Sequence, residues 1–454
     1  MKSLTQTLQL IANPTKFLDN CAKNYGDTFT MRVLGINSPP VVFFSHPEAI
    51  GECFAIPAQK LDFKKATHVF KPIFGDNSIV LQERQKHNRD RSLLMPTFHG
   101  DRMKSYGDTI CQITQEVTKH WQVGKIISMQ EVMPDITLRI ILQVVFGITP
   151  GERYQQLKKL LSKLLDDITT PWYSSLFFFP PLQQDLGRWS PWGNYLQRKQ
   201  EIDELVYSEI AERRLINDAL RTDILSLLIS AKDENGQGMS DAELKDQLIS
   251  LLLLGYETTA GVLSWLFYLI HSHLEVKEKI IQELDSLGQN PQPAEITQMP
   301  YLSAVCQETM RLHPIALICT PRMAKEQLEI AGHEYASGTI FVPCIYLAHR
   351  RSQVYAEPEN FLPERFLNQK YSPTEYLPFG GGYRGCIGSA FSMYEIKLVL
   401  TSILSQFQLE LVNSRPAKPV RRGITIVPEG GVSMKITQKI KIYPSTDLAC
   451  SSNT

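Results

Sequence analysis

Apolar positions are densest between Leu248 and Ile270, where a run of leucine, isoleucine, valine and aromatic residues contains a single charge, Glu257. The run begins and ends in charged sequence of helical period, so it reads as a helix buried in a large core rather than as a membrane span. Ser240-Asp241-Ala242-Glu243 supplies a capping box that starts it. Upstream, a helical pattern covers Asp101–Phe146, Tyr154–Ile168 is amphipathic, and Gln200–Arg214 is a charged helix followed by a linker at Asp233–Gln237. Downstream, helices continue to His313, where Pro314 blocks further helix. β-Forming residues gather at Phe29–Leu34 and Val41–Phe44 around the turn-rich Gly35–Pro40, and short strands are expected between Cys319 and Cys344. A segment rich in Pro and Arg spans Glu357–Phe366. The Gly-rich stretch Gly380–Gly388 then leads into a last helix ending near Phe407. Between helices lies Pro171–Gly193, aromatic and broken by prolines, which reads either as a packed connector or as an apolar lid over a channel. No repeat, low-complexity tract or dividing linker interrupts the chain.

Composition narrows this picture. With 454 residues, 43% of them apolar and 21% charged, the chain is globular and can bury a large core. Its 47 basic and 47 acidic residues cancel, which argues against a general attraction to nucleic acid or acidic lipid. The start, MKSLTQTLQLIANPTKFLDN, has too few apolar residues for a signal peptide or membrane anchor. Eight cysteines are scattered without a C-x-x-C pair, so neither a disulfide framework nor a zinc site is expected. The expected setting is a reducing cytoplasm, with most thiols acting as small buried hydrophobes.

Cys386 needs a separate explanation. It lies in FGGGYRGCIG, Phe379 to Gly388, just before a helix. A metal-binding thiolate must be stabilised yet accessible, and backbone N–H groups and the dipole at a helix N-terminus provide that stabilisation. Gly382, Gly385 and Gly388 let the backbone turn tightly against a flat cofactor. Phe379 can shield the sulfur, and Arg384 offers a fork for an acidic group. Two other readings remain at this point: a phosphate-binding loop and a tight turn around a buried cysteine. The loop lacks the Gly-Lys-Ser/Thr ending and the G-x-G-x-x-G pattern of phosphate sites.

Phe379-x-x-Gly382-x-Arg384-x-Cys386-x-Gly388 resembles the haem-binding signature of the cytochrome P450 family at every position. Further segments resemble that family in the required order. Glu308-Thr-Met-Arg311, with Pro363-Glu-Arg365-Phe366, resembles its ExxR helix and partner segment. Leu254-Gly255-Tyr256-Glu257-Thr258-Thr259 resembles the segment that crosses above the iron, with Leu254 where Ala or Gly is usual. His87-x-x-x-Arg91 and Arg322 resemble the groups that grip the haem propionates.

The resemblance implies a mainly α fold with small β-sheets, a triangular helical enzyme holding haem b (iron protoporphyrin IX) between the central helix and the helix after the cysteine loop. A single domain over 1–454 is expected, with a β-rich lobe from about 25–60 and 315–345. Cys386 would ligate the iron. Arg384, Arg322, His87, Arg91, Phe379, Gly382 and Gly388 would hold the cofactor, and Glu308, Arg311 and Arg365 would support the loop. Glu257 and Thr258 would deliver protons as one oxygen atom of O2 is inserted into a C–H bond. Pocket walls are expected from Phe70, Ile73 and Phe74; from Leu251 and Gly255; from Ile315, Ala316, Leu317 and Ile318; and from Ile424, Thr425, Ile426 and Val427. Phe177–Phe179 is expected at the entrance.

Such apolar walls suit a fatty acid or terpenoid. NPTKFLDNCAKNYGDTFT resembles bacterial members of the cyanobacterial fatty-acid and terpenoid hydroxylase type. With no flavin or ferredoxin module in the chain, electrons are expected from a separate ferredoxin or flavodoxin with its reductase, and the protein is expected to be a monomer. Two alternatives use the same fold. A peroxide isomerase or lyase would have little need of Glu257-Thr258, and a non-catalytic haem sensor or electron carrier would have little need of the apolar pocket. Cys386→Ser is expected to abolish the thiolate-type absorbance of the reduced carbon monoxide complex, read in a difference spectrum.

Overall fold

The computed structural model describes residues 2–440 apart from 36–37, 99, 171–175, 178–179, 217–220, 289 and 414. Seven helices position the site: α1 (Arg84–Leu94), α2 (Asp101–Thr118), α3 (Met129–Phe146), α4 (Pro191–Ile216), α5 (Asp241–Ser272), α6 (Pro300–Leu312) and α7 (Ser389–Leu404). The largest hydrophobic cluster draws on all seven, and α5 runs through it. α5 is long and apolar enough to cross a membrane, but 83% of its most apolar window is buried inside the fold. The expected capping box is present: Ser240 Oγ accepts from Glu243 N–H, and the Glu243 carboxylate accepts from Ser240 N–H at 3.0 Å.

α3 is the main partner of α5. Gly255 permits the approach, because a Cβ there would stand 2.9 Å from Ile141 Cδ1. Thr137 Oγ1 on α3 reaches Tyr256 O on α5 at 3.1 Å. The helical pattern expected across Asp101–Phe146 is interrupted. The first helix ends at Thr118, Gly124 turns the chain at φ +86°, and Ile126–Ser128 then pairs antiparallel with Ser433–Lys435. The last helix stops at Leu404, because Phe407–Leu411 is drawn into the same small sheet.

The β-rich part is a five-stranded sheet formed by β1 (Thr28–Met31), β2 (Val41–Phe44), β3 (Leu61–Asp62), β4 (Arg322–Ala324) and β5 (Ile340–Pro343), in the order β1-β2-β5-β4-β3. β2 and β5 run parallel, Val41 opposite Ile340. Strand alternation sends Val42, Phe44 and Phe341 to one apolar cluster and Val41, Phe43, Ile340 and Val342 to another, so the centre of the sheet is buried on both faces.

A hairpin of β6 (Pro419–Arg422) and β7 (Thr425–Pro428) lies on α5. Trp265 Nε1 donates to Ile426 O at 3.0 Å, and Ile426 N–H donates to Ile315 O at 3.0 Å. Trp265 is fully buried and stacks on His313 with ring centroids 3.7 Å apart. Trp265→Phe keeps the ring contact but leaves a buried carbonyl without this donor. It is expected to lower stability by about 1–3 kcal/mol in equilibrium denaturant unfolding.

Candidate active site

The cysteine loop is a tight turn closed by its own backbone. Cys386 N–H donates to Phe379 O at 2.9 Å and Gly385 N–H to Gly382 O at 3.2 Å. Gly380 and Gly382 take φ +66° and +63°, where a side chain would be strained. A Cβ on Gly381 would lie 2.4 Å from Phe54 Cε2, so the loop can press on that ring only as glycine. Gly388 caps the start of α7, and a Cβ there would meet no atom within 4 Å. Cys386 is accessible by surface area yet sits deep among protein atoms, the position of a side chain facing an internal cleft. Burial pushes its thiol up, while the Gly388 N–H and the Arg91 charge oppose that shift. Among the seven described cysteines, all free, Cys386 is the exposed one.

A cationic group borders this loop. Arg91 Nη1 donates to Gly385 O at 2.8 Å, and the Arg322 guanidinium lies 5.0 Å from the Phe54 ring centre. Arg384 also makes contacts that the sequence did not reveal. Its terminal nitrogens donate to Ile79 O, at 2.8 Å, and to Gln82 O, so it fastens the cysteine loop to the segment before α1. The same segment is held to α5 from its other side, where Asp246 and Gln247 accept from Asn77 and Ile79 N–H and Ser250 meets Ser78 at 2.7 Å. The His87 ring lies tilted against Tyr383, 4.4 Å between centroids. Burial, followed by the charges of Arg384 and Arg91, holds His87 down to about 3, so it is neutral at physiological pH.

His87 Nδ1, Arg322 Nε and Arg384 Nε are buried without a hydrogen-bond partner. Buried polar atoms of this kind ordinarily have partners. Three such atoms among clustered cations, beside an open approach at Gly388 and an accessible sulfur, fit a flat metal-bearing group with an acidic edge. That is the chemistry of haem.

Support for the loop comes from a buried ion triad. Glu308 and Arg311 are fully buried; Arg311 Nε and Nη2 donate to the two Glu308 oxygens at 2.7 and 2.8 Å, and Arg365 Nε adds a third contact at 3.1 Å. Arg311 also donates to His349 O, Pro358 O and Asn360 O. His349, to which the sequence reading gave no role, is the link onward. Its Nε2 accepts from Leu377 N–H at 2.9 Å, and Leu377 O accepts from Gly380 N–H at 2.9 Å. Burial, with Arg311 and Arg350 nearby, keeps His349 down to about 3, so it remains a neutral acceptor.

On α5, Thr258 Oγ1 donates to Leu254 O at 2.7 Å, and Thr259 makes the same contact with Gly255 O at 2.8 Å. Glu257 is buried, with Oε1 3.4 Å from Arg422 Nε. Glu257 and Thr258 both line a cavity of about 40 Å³. Its other walls are Phe70, Ile73, Phe74, Ile168, Leu253, Leu254, Arg422, Ile424 and Thr425.

Several expected pocket residues stand elsewhere. Gly255 faces Ile141 in the helix contact, and Leu251 is packed in the main core. Ile426 and Val427 are buried, Ile426 in backbone contact with Trp265 and Ile315. Ile315 belongs to the main core, Leu317 and Ile318 pack against the sheet, Ala316 is exposed, and none of the four lines this cavity. Phe177 is buried edge-on against Trp192 and Tyr195; Phe178 and Phe179 lie outside the described residues. Sequence reasoning missed Ile168, Leu253 and Arg422 as cavity residues. Leu253 and Leu254 were within reach of it, since they lie one turn before Glu257 and Thr258 on the same helix face.

The helical fold and the thiolate loop define the class, a haem-dependent enzyme. The cytochrome P450 family model matches residues 3–435. The putative cytochrome P450 135B1 of Mycobacterium tuberculosis is 34% identical over 433 residues, 95% of this chain and 89% of that protein. Putative cytochrome P450 135A1 of the same species is 33% identical over 92% of this chain and 90% of its own length. Among solved structures, the retinoic acid bound cyanobacterial CYP120A1 is similar with a TM-score of 0.83 at 23% identity over 96% of each chain. The cytochrome P450DA heme domain is similar with a TM-score of 0.84 at 21% identity, covering 96% of this chain and 95% of that one.

The chain belongs to the cytochrome P450 family. It is an oxidoreductase of the monooxygenase class, with haem as cofactor and with O2, a small-molecule substrate and a redox partner in its reaction. Glu308→Gln leaves two guanidinium groups facing a neutral amide in the core. It is expected to cost about 3–5 kcal/mol in denaturant unfolding and to lower the haem content of the purified protein.

Proposed function

We propose that the protein hydroxylates a long apolar substrate, a fatty acid or terpenoid, by the balance R–H + O2 + 2 e⁻ + 2 H⁺ → R–OH + H2O. The observation that carries this reading is the apolar lining of Phe70, Ile73, Phe74, Leu253 and Ile424 around Glu257 and Thr258. Cys386 would hold the haem iron through its sulfur. His87, Arg91, Arg322 and Arg384 would face the acidic edge of the cofactor, while Phe379, Gly382 and Gly388 would shape the loop around it. When bound, haem supplies the activation of O2, and the thiolate donation that favours O–O cleavage comes with it.

The chain's own residues supply the rest. Phe70, Ile73, Phe74 and Ile424 keep the cavity apolar and exclude water from the reacting carbon. Leu254 narrows the cavity beside Thr258, and its carbonyl fixes the hydroxyl through the 2.7 Å bond. The Thr258 oxygen keeps acceptor capacity on its cavity side, so it can take and pass a proton at Oγ1. Glu257 holds the exchangeable proton or the charge that replaces it, next to that hydroxyl. Electrons come from a ferredoxin or flavodoxin with its reductase. The protein works as a monomeric single domain in the cytoplasm, a reading that the free thiols support.

Thr258→Ala is expected to retain the carbon monoxide spectrum and to divert reductant to hydrogen peroxide. Product per electron should fall about tenfold or more, within the range of general acid–base contributions. Normal coupling in that variant would remove Thr258 from the proton path.

A further inference from the structure

The hairpin β6–β7 does two things at once. Ile424 in its turn and Thr425 at the start of β7 wall the cavity, and Arg422, at the end of β6, reaches the Glu257 carboxylate. The turn is short and locally fixed. Arg422 pairs with Thr425, Gly423 takes φ +61°, Thr425 Oγ1 donates to Arg422 O at 2.8 Å and Arg421 Nε donates to Gly423 O at 2.6 Å. Farther along, the hairpin is pinned to α5 by the Trp265–Ile426 bond, and Ala417 N–H donates to the Tyr268 hydroxyl at 3.1 Å. These anchors lie two to three turns beyond Glu257 on the same helix. The Arg422–Glu257 contact is therefore the end of a hairpin seated on α5, not a loose surface pair. Arg422 is 27% exposed and Glu257 only 8%, so the pairing matters most to the buried carboxylate.

Nothing in the sequence reading gave Arg422 a role. Its charge neutralises Glu257 inside an apolar wall, and it is carried by the same turn that an occupant of the cavity touches. We propose that Arg422 is a positioning residue for the Glu257 carboxylate. From the turn that walls the cavity it sets where the acid stands relative to Thr258, and it ties occupancy of the cavity to proton handling. This rests on the reading of Glu257 as the proton-handling acid.

The test compares the wild-type holoenzyme with Arg422→Gln, Arg422→Lys, Glu257→Gln and the Arg422→Gln/Glu257→Gln double variant, using lauric acid and farnesol as probes. Two quantities are read: product formed per electron, and the infrared stretch of the carbon monoxide complex with and without probe, which reports the local field without turnover. Arg422→Gln is expected to lose product per electron about tenfold and to remove the shift of the carbon monoxide band that the probe causes. Arg422→Lys should recover most of both, because it restores the charge. In the Glu257→Gln background, Arg422→Gln should add nothing, the mark of two residues acting as one unit. Unchanged coupling and an unchanged band in Arg422→Gln, or losses that multiply in the double variant, would overturn the proposal. If the wild type hydroxylates neither probe while Arg422→Gln and Glu257→Gln alter the band alike, the hydroxylase reading fails and the positioning role stands.

Discussion

Glu308 sits at the centre of the core with two guanidinium groups on its carboxylate, and the place of the cysteine loop follows from that contact. A carboxylate in so dry a position is tolerable only when charge and hydrogen bonds surround it. Arg311 spends its remaining donors on the carbonyls of His349, Pro358 and Asn360, which stiffens an irregular segment that has few ladder bonds of its own. Through the His349 ring and Leu377 that stiffness reaches Gly380. Cys386 is thus presented by a loop held from behind by an ion triad and from the side by Arg91 and Arg384. The loop can be glycine-rich, and so approach a flat ligand, because its rigidity is supplied from outside.

The parts of this arrangement that could be read in the sequence are those whose signal is local. The spacing of Phe379, Gly382, Arg384, Cys386 and Gly388, the ExxR spacing on one helix face, and the long apolar run around Glu257 each lie within a few turns of chain. What could not be read depends on contacts between segments well separated along the chain. His349 carries the support network forward only because Arg311 and Leu377 meet it on opposite sides. Gly255 was expected in the pocket from the family resemblance, but helical geometry turns it toward Ile141. Arg384 carries the fork expected of an anion ligand, yet it spends most of that fork on backbone carbonyls of a segment some three hundred residues earlier. The break between α2 and α3 was hidden for the same reason, since Ile126–Ser128 becomes a strand only by pairing with the far C-terminal strand.

Charge is used sparingly around the cavity and always in company. Glu257 is set against Arg422, while His87 is kept neutral by burial and by the cations on either side. Both follow from one constraint: in a medium that screens poorly, a group without compensation either finds a partner or gives up its charge. The two solutions differ in kind, an ion pair at Glu257 and a neutral ring among fixed cations at His87.

The parallel pairing of β2 with β5 has a consequence for synthesis. Val41 must wait for Ile340, roughly three hundred residues later. At about 5–20 residues per second on a ribosome, that is on the order of 15–60 s during which Val-Val-Phe-Phe has left the tunnel without its neighbour. All four residues are buried in the finished protein. For that interval they form an apolar strand with an open edge, the kind of segment that invites pairing with another chain. The nascent protein therefore depends on shelter from a chaperone, or on the antiparallel cover of Thr28–Met31, until its own C-terminal half arrives.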